Sequence, residues 1–289
     1  MYVKLLNIII DGLLTGGIYS VIAMGFGLQY GVARVLNVSH GEFIMIGAFA
    51  TWSLYTLFGV NPLVSLVICG PVLLIIGFFI HRTLFTRIRN SSESLAVVEG
   101  NSLLASFGLL FIIQNIALLI WGPFVRGLSF LSYPVHFAGT TFGANRLMTP
   151  AFAVGISVAF YLFLANTRIG KAIRSAAQEP AIAGLMGVNI NQVLALCFGL
   201  GALMASFAGS LLSITYTISP TMGLEYTAIS FIVVVLGGLG SIPGSFIGGF
   251  ILGLIGSIVS YFEPGLSLIA YYVIFMLLLM VRPKGILGK

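Results

Sequence analysis

Hydrophobic and polar positions in this chain alternate on a scale of about twenty residues. Apolar segments fall near 6–30, 43–59, 62–80, 103–121, 149–165, 190–214, 227–240, 244–262 and 265–281. A helix needs roughly 20 predominantly apolar residues to cross about 30 Å of hydrocarbon, so the pattern predicts membrane-spanning helices. The expected fold is all-α: a polytopic transmembrane bundle of about eight or nine spans, some broken or re-entrant. No long hydrophilic segment is left for a soluble unit, so residues 1–289 are expected to form a single membrane domain. The first apolar stretch runs on to Tyr30 with no small-residue cleavage site after it. It is expected as a first span, not a removed signal.

Basic residues orient these spans. Arg82, Arg87 and Arg89 follow the third segment, Arg168, Lys171 and Arg174 follow the fifth, and Arg282, Lys284 and Lys289 close the chain. These loops lie an even number of crossings apart, so the excess of Lys and Arg on the cytoplasmic side places all three there. Counting back puts the N-terminus outside. Lys4 and Arg34 pull mildly the other way or belong to an irregular lead-in segment. Residues 123–148 then lie outside. Their turn signals, Gly122-Pro123, Tyr133-Pro134 and Ala138-Gly139-Thr140-Thr141, predict a small extracytoplasmic hairpin.

Composition sharpens this picture. Hydrophobic residues make up 59% of the chain and charged ones 7%, against roughly a quarter charged in a soluble domain. Mean hydropathy is +1.12. The outer surface therefore faces the lipid bilayer. The net charge of +6 sits at span ends, so it marks topology and implies no nucleic-acid partner.

Catalytic signatures are missing. There is no G-x-x-x-x-G-K-[ST] loop, and Gly237-Gly238-Leu239-Gly240 lacks the following lysine. Neither a G-x-S-x-G elbow nor an H-E-x-x-H pair occurs. His40, His81 and His136 are too scattered for a local metal site, and Cys69 and Cys197 lie inside apolar stretches without metal spacing. No catalytic residue, metal ligand or bound cofactor is expected, and the chain reads as a transporter component, not an enzyme.

Small residues recur four apart at Gly12/Gly16, Gly201/Ala205/Gly209, Gly240/Gly244/Gly248 and Gly249/Gly253, the spacing that lets membrane helices approach closely. A possible internal repeat relates Asn37-Val38-Ser39-His40-Gly41-Glu42-Phe43 to Gly240-Ser241-Ile242-Pro243-Gly244-Ser245-Phe246. Each is a polar, breaker-rich interruption leading into a glycine-bearing apolar segment, with Gly41, Pro243 and Gly244 as the helix-break residues. Paired broken helices point to a transport site near the midplane. The charge count gives both copies the same direction, so an inverted repeat would need a re-entrant segment.

Intramembrane acids are the remaining candidates, because a charge in hydrocarbon costs on the order of 3 kcal/mol. Glu42, with Arg34, Asn37, Ser39 and His40, forms the densest polar cluster near a break. It either lines or gates a path, or is a buried ion pair and cap that fixes the broken helix. Asp11 and Glu225 are expected at the outer boundary. The tract Tyr216–Tyr226 interrupts two apolar segments on the outer side, as an entrance gate, a docking surface or a simple turn.

In the loop after the fifth segment, Pro180 suits a first helical position and Gly187 a helix stop. Ile182, Leu185 and Met186 fall at i, i+3 and i+4 on one face. Such a helix either meets a partner surface or lies on the bilayer.

This loop resembles the coupling loop of ABC-importer permeases, with Glu179-Pro180-Ala181-Ile182-Ala183-Gly184 as a degenerate Glu-Ala-Ala…Gly motif. The whole chain is similar to the branched-chain amino acid permeases of the LivH type. The matching stretches are Gly17-Ile18-Tyr19-Ser20, Leu36 through Glu42, Gln114-Asn115, Gly184 through Asn189, Ser219 through Gly223, Leu236 through Gly244 and Arg282-Pro283-Lys284-Gly285. Val38-Ser39 replaces that family's usual Phe-Ala, and the extracytoplasmic segment is shorter than in some members.

The resemblance implies two ABC ATPase subunits that consume ATP, docked on a cytoplasmic coupling loop at 168–189 through Arg174, Glu179, Pro180, Ile182, Gly184, Leu185 and Met186. It implies a sister permease, with a heterodimer expected, and an extracytoplasmic solute-binding protein. Asn37, Ser39, His40, Glu42, Gln114 and Asn115 are the residues expected along the translocation path or its gate. The setting is a bacterial or archaeal cell membrane, the inner one in a Gram-negative cell. The cargo is a branched-chain or similar amino acid, with urea or short amides as the alternative within the family. A stand-alone secondary transporter would need its own coupling-ion site.

Overall fold

The computed structural model describes residues 2–137, 140–282 and 284–288. Ala138 and Gly139 of the expected hairpin, and Pro283 and Lys289 of the last basic cluster, lie outside them. Helix α1 (Tyr2–Leu28) continues through a π-helical turn, Gln29–Ala33, and stops where Arg34 takes a left-handed conformation, φ +54°. Then come α2 (His40–Phe58), α3 (Pro62–Ile80), the short α4 (Thr86–Ser91) and α5 (Leu95–Trp121). A two-stranded antiparallel hairpin, β1 (Pro134–Phe137) and β2 (Thr140–Gly143), precedes α6 (Ala144–Asn166). Next are α7 (Arg168–Gln178), α8 (Pro180–Leu185), α9 (Ile190–Thr215), α10 (Gly223–Gly237), α11 (Ile242–Phe262) and α12 (Ser267–Val281).

Among the described residues, eight helices are long and apolar enough to cross a membrane, and α10 is a shorter apolar helix of 15 residues. At 1.5 Å per residue α10 is about 22 Å long, short of a full crossing. The chain is thus a polytopic helical bundle containing one apolar helix too short to cross. Helix ends depart from the apolar segments where polar residues prolong them. Helix α5 begins at Leu95 instead of 103, through Glu99, Asn101 and Ser102, and α6 begins at Ala144 instead of 149, through Asn145 and Arg146. The outer connection therefore ends at residue 143, not 148. Hydropathy marks the thickness of hydrocarbon, whereas backbone hydrogen bonding carries the helix on into the polar interface.

Helix α9 is the central post, buried along most of its length, while α12 turns most of its apolar residues outward. Helices α1, α2 and α3 pack around α9, and α1 also lies along α11. The small residues at four-residue spacing make this last contact. A Cβ on Gly253 would collide with the backbone of Gly16. One and two turns along, Ser20 Oγ donates to the Gly16 and Phe246 carbonyls at 2.8 and 2.7 Å. Close backbone approach and hydrogen bonds replace the hydrophobic effect, which drives little association inside a lipid phase.

The two ends of the bundle are chemically distinct. At one end, Asp11 of α1 pairs with Arg146 at the start of α6 (3.3 Å), Arg126 and Ile218 form a backbone bridge, and the Tyr55 hydroxyl donates to Ser129 O. That end carries the hairpin. Lys4 lies there too, with its ammonium over the Tyr261 ring at 5.8 Å. At the other end, Ile286 and Leu287 of the C-terminal tail donate backbone bonds to Leu236 and Gly237, and Arg174 meets the end of α6. Arg34 sits in the irregular segment after α1 on this basic side. The N-terminus and the hairpin share one end, as the charge count requires.

Candidate functional site

Helices α2 and α10 both start inside the bundle, and their N-termini meet there. The His40 Nε2 lies 3.3 Å from the carbonyl of Ile22, which sits roughly 16 Å along α1 from the end of its π turn. Helix α10 is reached by residues 216–222, which leave the hairpin end at Ile218 and descend to Gly223. Gly41 can only be glycine here, because a Cβ would collide with the carbonyl oxygen of Gly223. The Gly41 N–H donates to Thr227 Oγ1 (2.8 Å), and that hydroxyl donates to the Val38 carbonyl (2.9 Å). One threonine thus ties the lead-in of α2 to the first turns of α10.

The segment before α2 is held by a polar chain. Ser39 Oγ donates to Asn37 Oδ1 (2.6 Å), Asn37 Nδ2 donates to Gln29 Oε1 (3.1 Å), and Gln29 Nε2 donates to the Phe198 carbonyl (3.0 Å). On the far side Ser106 accepts from Val38 N–H (3.2 Å) and donates to Leu36 O (3.1 Å). These bonds satisfy backbone that neither helix can pair, as irregular chain at membrane depth requires. Gln29, Asn37, Ser39, His40 and Glu42 are all fully buried.

Glu42 is the exception in this network. Ser39 and Glu42 have the Ser-x-x-Glu spacing of a capping box, yet Ser39 turns to Asn37 and makes no cap bond. Among the described residues, neither carboxylate oxygen of Glu42 has a hydrogen-bond partner, nor does His40 Nδ1. The carboxylate lies against Gly223, where an added Cβ would run into it. It therefore sits at the N-terminus of α10 as well as in the first turn of α2, where both helix dipoles present their positive ends. Arg34 is exposed and lies over the Tyr30 ring at 6.0 Å, so the buried Arg34–Glu42 ion pair weighed from sequence does not form.

The sequence paired the wrong second segment with Asn37–Phe43. Gly240 and Ser241 belong to a tight turn at the basic end that leads directly into α11, with Gly240 against Gly31 and Gly244 against Gly237. Pro243 lies in the first turn of α11, and Ser241 Oγ caps Gly244 N–H. The segment opposite Ser39–Glu42 is Gly223–Thr227. Two broken helices do converge, but the partner break follows α9.

At the basic end, Arg174 donates to the Leu164 carbonyl and to Ala165 O (3.1 Å), fastening α7 to the end of α6. The buried face of α7 is Gly170, Ile173 and Ala176. Beyond it, Glu179 is exposed, Pro180 opens α8, and Gly187 takes φ +86°. The apolar face of α8 points away from the bundle: Leu185 is 88% exposed, Met186 81% and Ile182 58%. Gly184 is exposed too, and Ala183 supplies the buried side.

A family model described as branched-chain amino acid transport system / permease component matches residues 8–282. The chain belongs to that family. The permease is 32% identical to the high-affinity branched-chain amino acid transport system permease protein LivH of Salmonella typhimurium, over 96% of this chain and 94% of that one. It is 28% identical to BraD of Pseudomonas aeruginosa, a high-affinity branched-chain amino acid transport system permease protein, over 97% and 95% of the two chains. The probable branched-chain amino acid transport permease protein LivH of Methanocaldococcus jannaschii is 26% identical over 92% and 87%.

Two residues expected on the permease's path stand apart from the central cluster. Gln114 is half-buried and Asn115 exposed on α5, where Asn115 Nδ2 donates back to Phe111 O (2.8 Å). His81, expected at the interface, is buried and stacks on Phe85 at 5.8 Å. Sequence reasoning missed Gln29, Ser106 and Thr227. Gln29 was legible as a lone amide inside an apolar run. Ser106 and Thr227 carry no local signal, because their partners are distant in the chain.

Proposed function

We propose that this permease is the membrane-spanning subunit of an ABC importer that translocates leucine, isoleucine, valine or a similar amino acid. The cargo class follows from the similarity to relatives named for branched-chain amino acid transport over nearly their whole length. The observation that carries the coupling role is the outward apolar face of α8. Leu185 and Met186 protrude beyond the spans as an exposed apolar patch, the kind of surface that marks an interaction site. Two ATPase subunits dock there, with Glu179 and Gly184 beside the apolar contact, and Arg174 transmits the push of α8 to the end of α6. No cofactor binds this chain, and ATP is consumed by the ATPases. A sister permease covers the α5 face that carries Gln114 and Asn115, and a soluble protein delivers solute at the hairpin end.

The junction of α2 and α10 is the gate in this reading. Asn37, Ser39, His40 and Glu42 surround the point where the N-termini of α2 and α10 meet, as in the broken-helix sites of transporters. ATP-driven movement of α8 shifts the balance between outward- and inward-open arrangements. The test is purification of the tagged chain from native membranes in mild detergent, followed by reconstitution. Co-purifying ATPases and a second permease, with ATP-dependent leucine uptake, are expected. A chain that emerges alone and still carries solute would overturn the proposal.

A further inference from the structure

The hairpin end of the permease opens into a cavity of about 470 Å³, within the usual range of roughly 300–1,000 Å³ for small-molecule sites. Its wall is polar and carries both signs of charge. Asp11 and Arg146, paired at 3.3 Å, stand on one side, and Glu225, which forms no ion pair among the described residues, lines it as well. Thr15 Oγ1 and the Tyr216 hydroxyl lie 3.0 Å apart, and the hydroxyls of Tyr19 and Tyr271 lie 3.5 Å apart in a buried setting. Burial pushes the Tyr216 phenol up, so it remains a neutral hydrogen-bonding group. Ile18 and Leu268 add apolar surface to the same cavity.

The floor of this cavity adjoins the gate. Thr15, Ile18 and Tyr19 lie on one face of α1, and that face continues through Ile22 and Phe26. The Ile22 carbonyl meets His40 Nε2, and the Phe26 ring packs edge-on against His40 (5.4 Å) and Phe231 (6.3 Å). The vestibule therefore reaches down to the first turn of α10, beside its junction with α2.

We infer that this cavity is a receiving site for a zwitterionic amino acid, resting on the importer reading above. Arg146 takes the carboxylate in competition with Asp11, Glu225 takes the ammonium, and the side chain lies on Ile18 and Leu268. The half-exposed Asp11–Arg146 pair is weak enough to be exchanged for a solute carboxylate. The Tyr19–Tyr271 pair closes the site below, so solute waits above His40 and Glu42 until the gate moves.

The test is thiol protection in proteoliposomes holding the complete importer without ATP. Cys69 and Cys197 are buried, so once exposed cysteines of the partner subunits are replaced, a Ser260→Cys variant offers a single reactive thiol at the cavity wall. Asn7→Cys, on α1 beside it, serves if Ser260→Cys does not insert. Leucine is expected to slow labelling by a membrane-impermeant thiol reagent. Leucinamide and 4-methylpentanoate, each lacking one charge, should protect about tenfold less well, as should leucine after Glu225→Gln or Arg146→Gln. Labelling unaffected by saturating leucine, in an importer whose unmodified form takes up leucine, would overturn the site and leave the importer reading standing. Failure of the unmodified form to take up leucine would instead remove the proposed function.

Discussion

Replacing Thr227 by valine removes one hydroxyl and keeps the side-chain shape. In the native structure that hydroxyl accepts from Gly41 N–H at 2.8 Å and donates to Val38 O at 2.9 Å. Gly41 N–H belongs to the first turn of α2 and has no intrahelical acceptor, and Val38 precedes the helix, so neither group has a ready substitute. A buried polar group left unpaired costs about 1–3 kcal/mol. Hydrogen bonds between membrane helices average only about 0.6 kcal/mol and reach about 1.7, because the unfolded chain also finds partners in the bilayer. Two irregular, fully buried backbone groups belong at the upper end, so Thr227→Val should cost about 2–3 kcal/mol. Thr227→Ser keeps the hydroxyl and loses a methyl, at a cost of about 1 kcal/mol. Unfolding by steric trapping in bicelles, on both variants, reads the difference directly. A valine variant within about 0.5 kcal/mol of the serine variant would show that Thr227 does not join α2 to α10.

Three further outcomes are expected. Glu179→Lys combined with Leu185→Asp should abolish uptake and solute-stimulated ATPase activity while leaving the chain inserted, as judged by membrane fractionation; normal transport would remove the coupling role of α8. Glu42→Ala should weaken transport or folding because it empties the space at the start of α10, whereas Glu42→Gln keeps that volume and tests the charge alone. If both variants express and transport at the native level, Glu42 has no part in the gate. Gly41→Ala forces a methyl into the Gly223 carbonyl and should cost about 1–3 kcal/mol as an overpacked contact; a native melting temperature in detergent would contradict the close approach.

The apolar segments and their basic flanks already determined that the chain crosses the membrane as a helical bundle with its N-terminus on the hairpin side. Length and hydropathy suffice for that, because every crossing segment must satisfy its backbone within itself and the charges beside it choose the side. The α8 helix was equally legible. Pro180 and Gly187 bracket it, and Ile182, Leu185 and Met186 share a face by local spacing. The polar cluster at 37–42 was visible as a cluster, but its architecture was not. Ser39 and Glu42 spell a capping box that tertiary contacts override, and the sequence offered Gly240–Phe246 as the matching break. Only the folded chain sets Gly223 and Thr227, some 185 residues away, against Gly41 and Val38. Likewise, Asp11, Arg146 and Glu225 come from three distant stretches and share a cavity only because α1, the start of α6 and the first turn of α10 all reach it. Local pattern decides which backbone hydrogen bonds a segment can make alone. The partners of a break, and the walls of a cavity, are settled by helices that touch in space without being near in sequence.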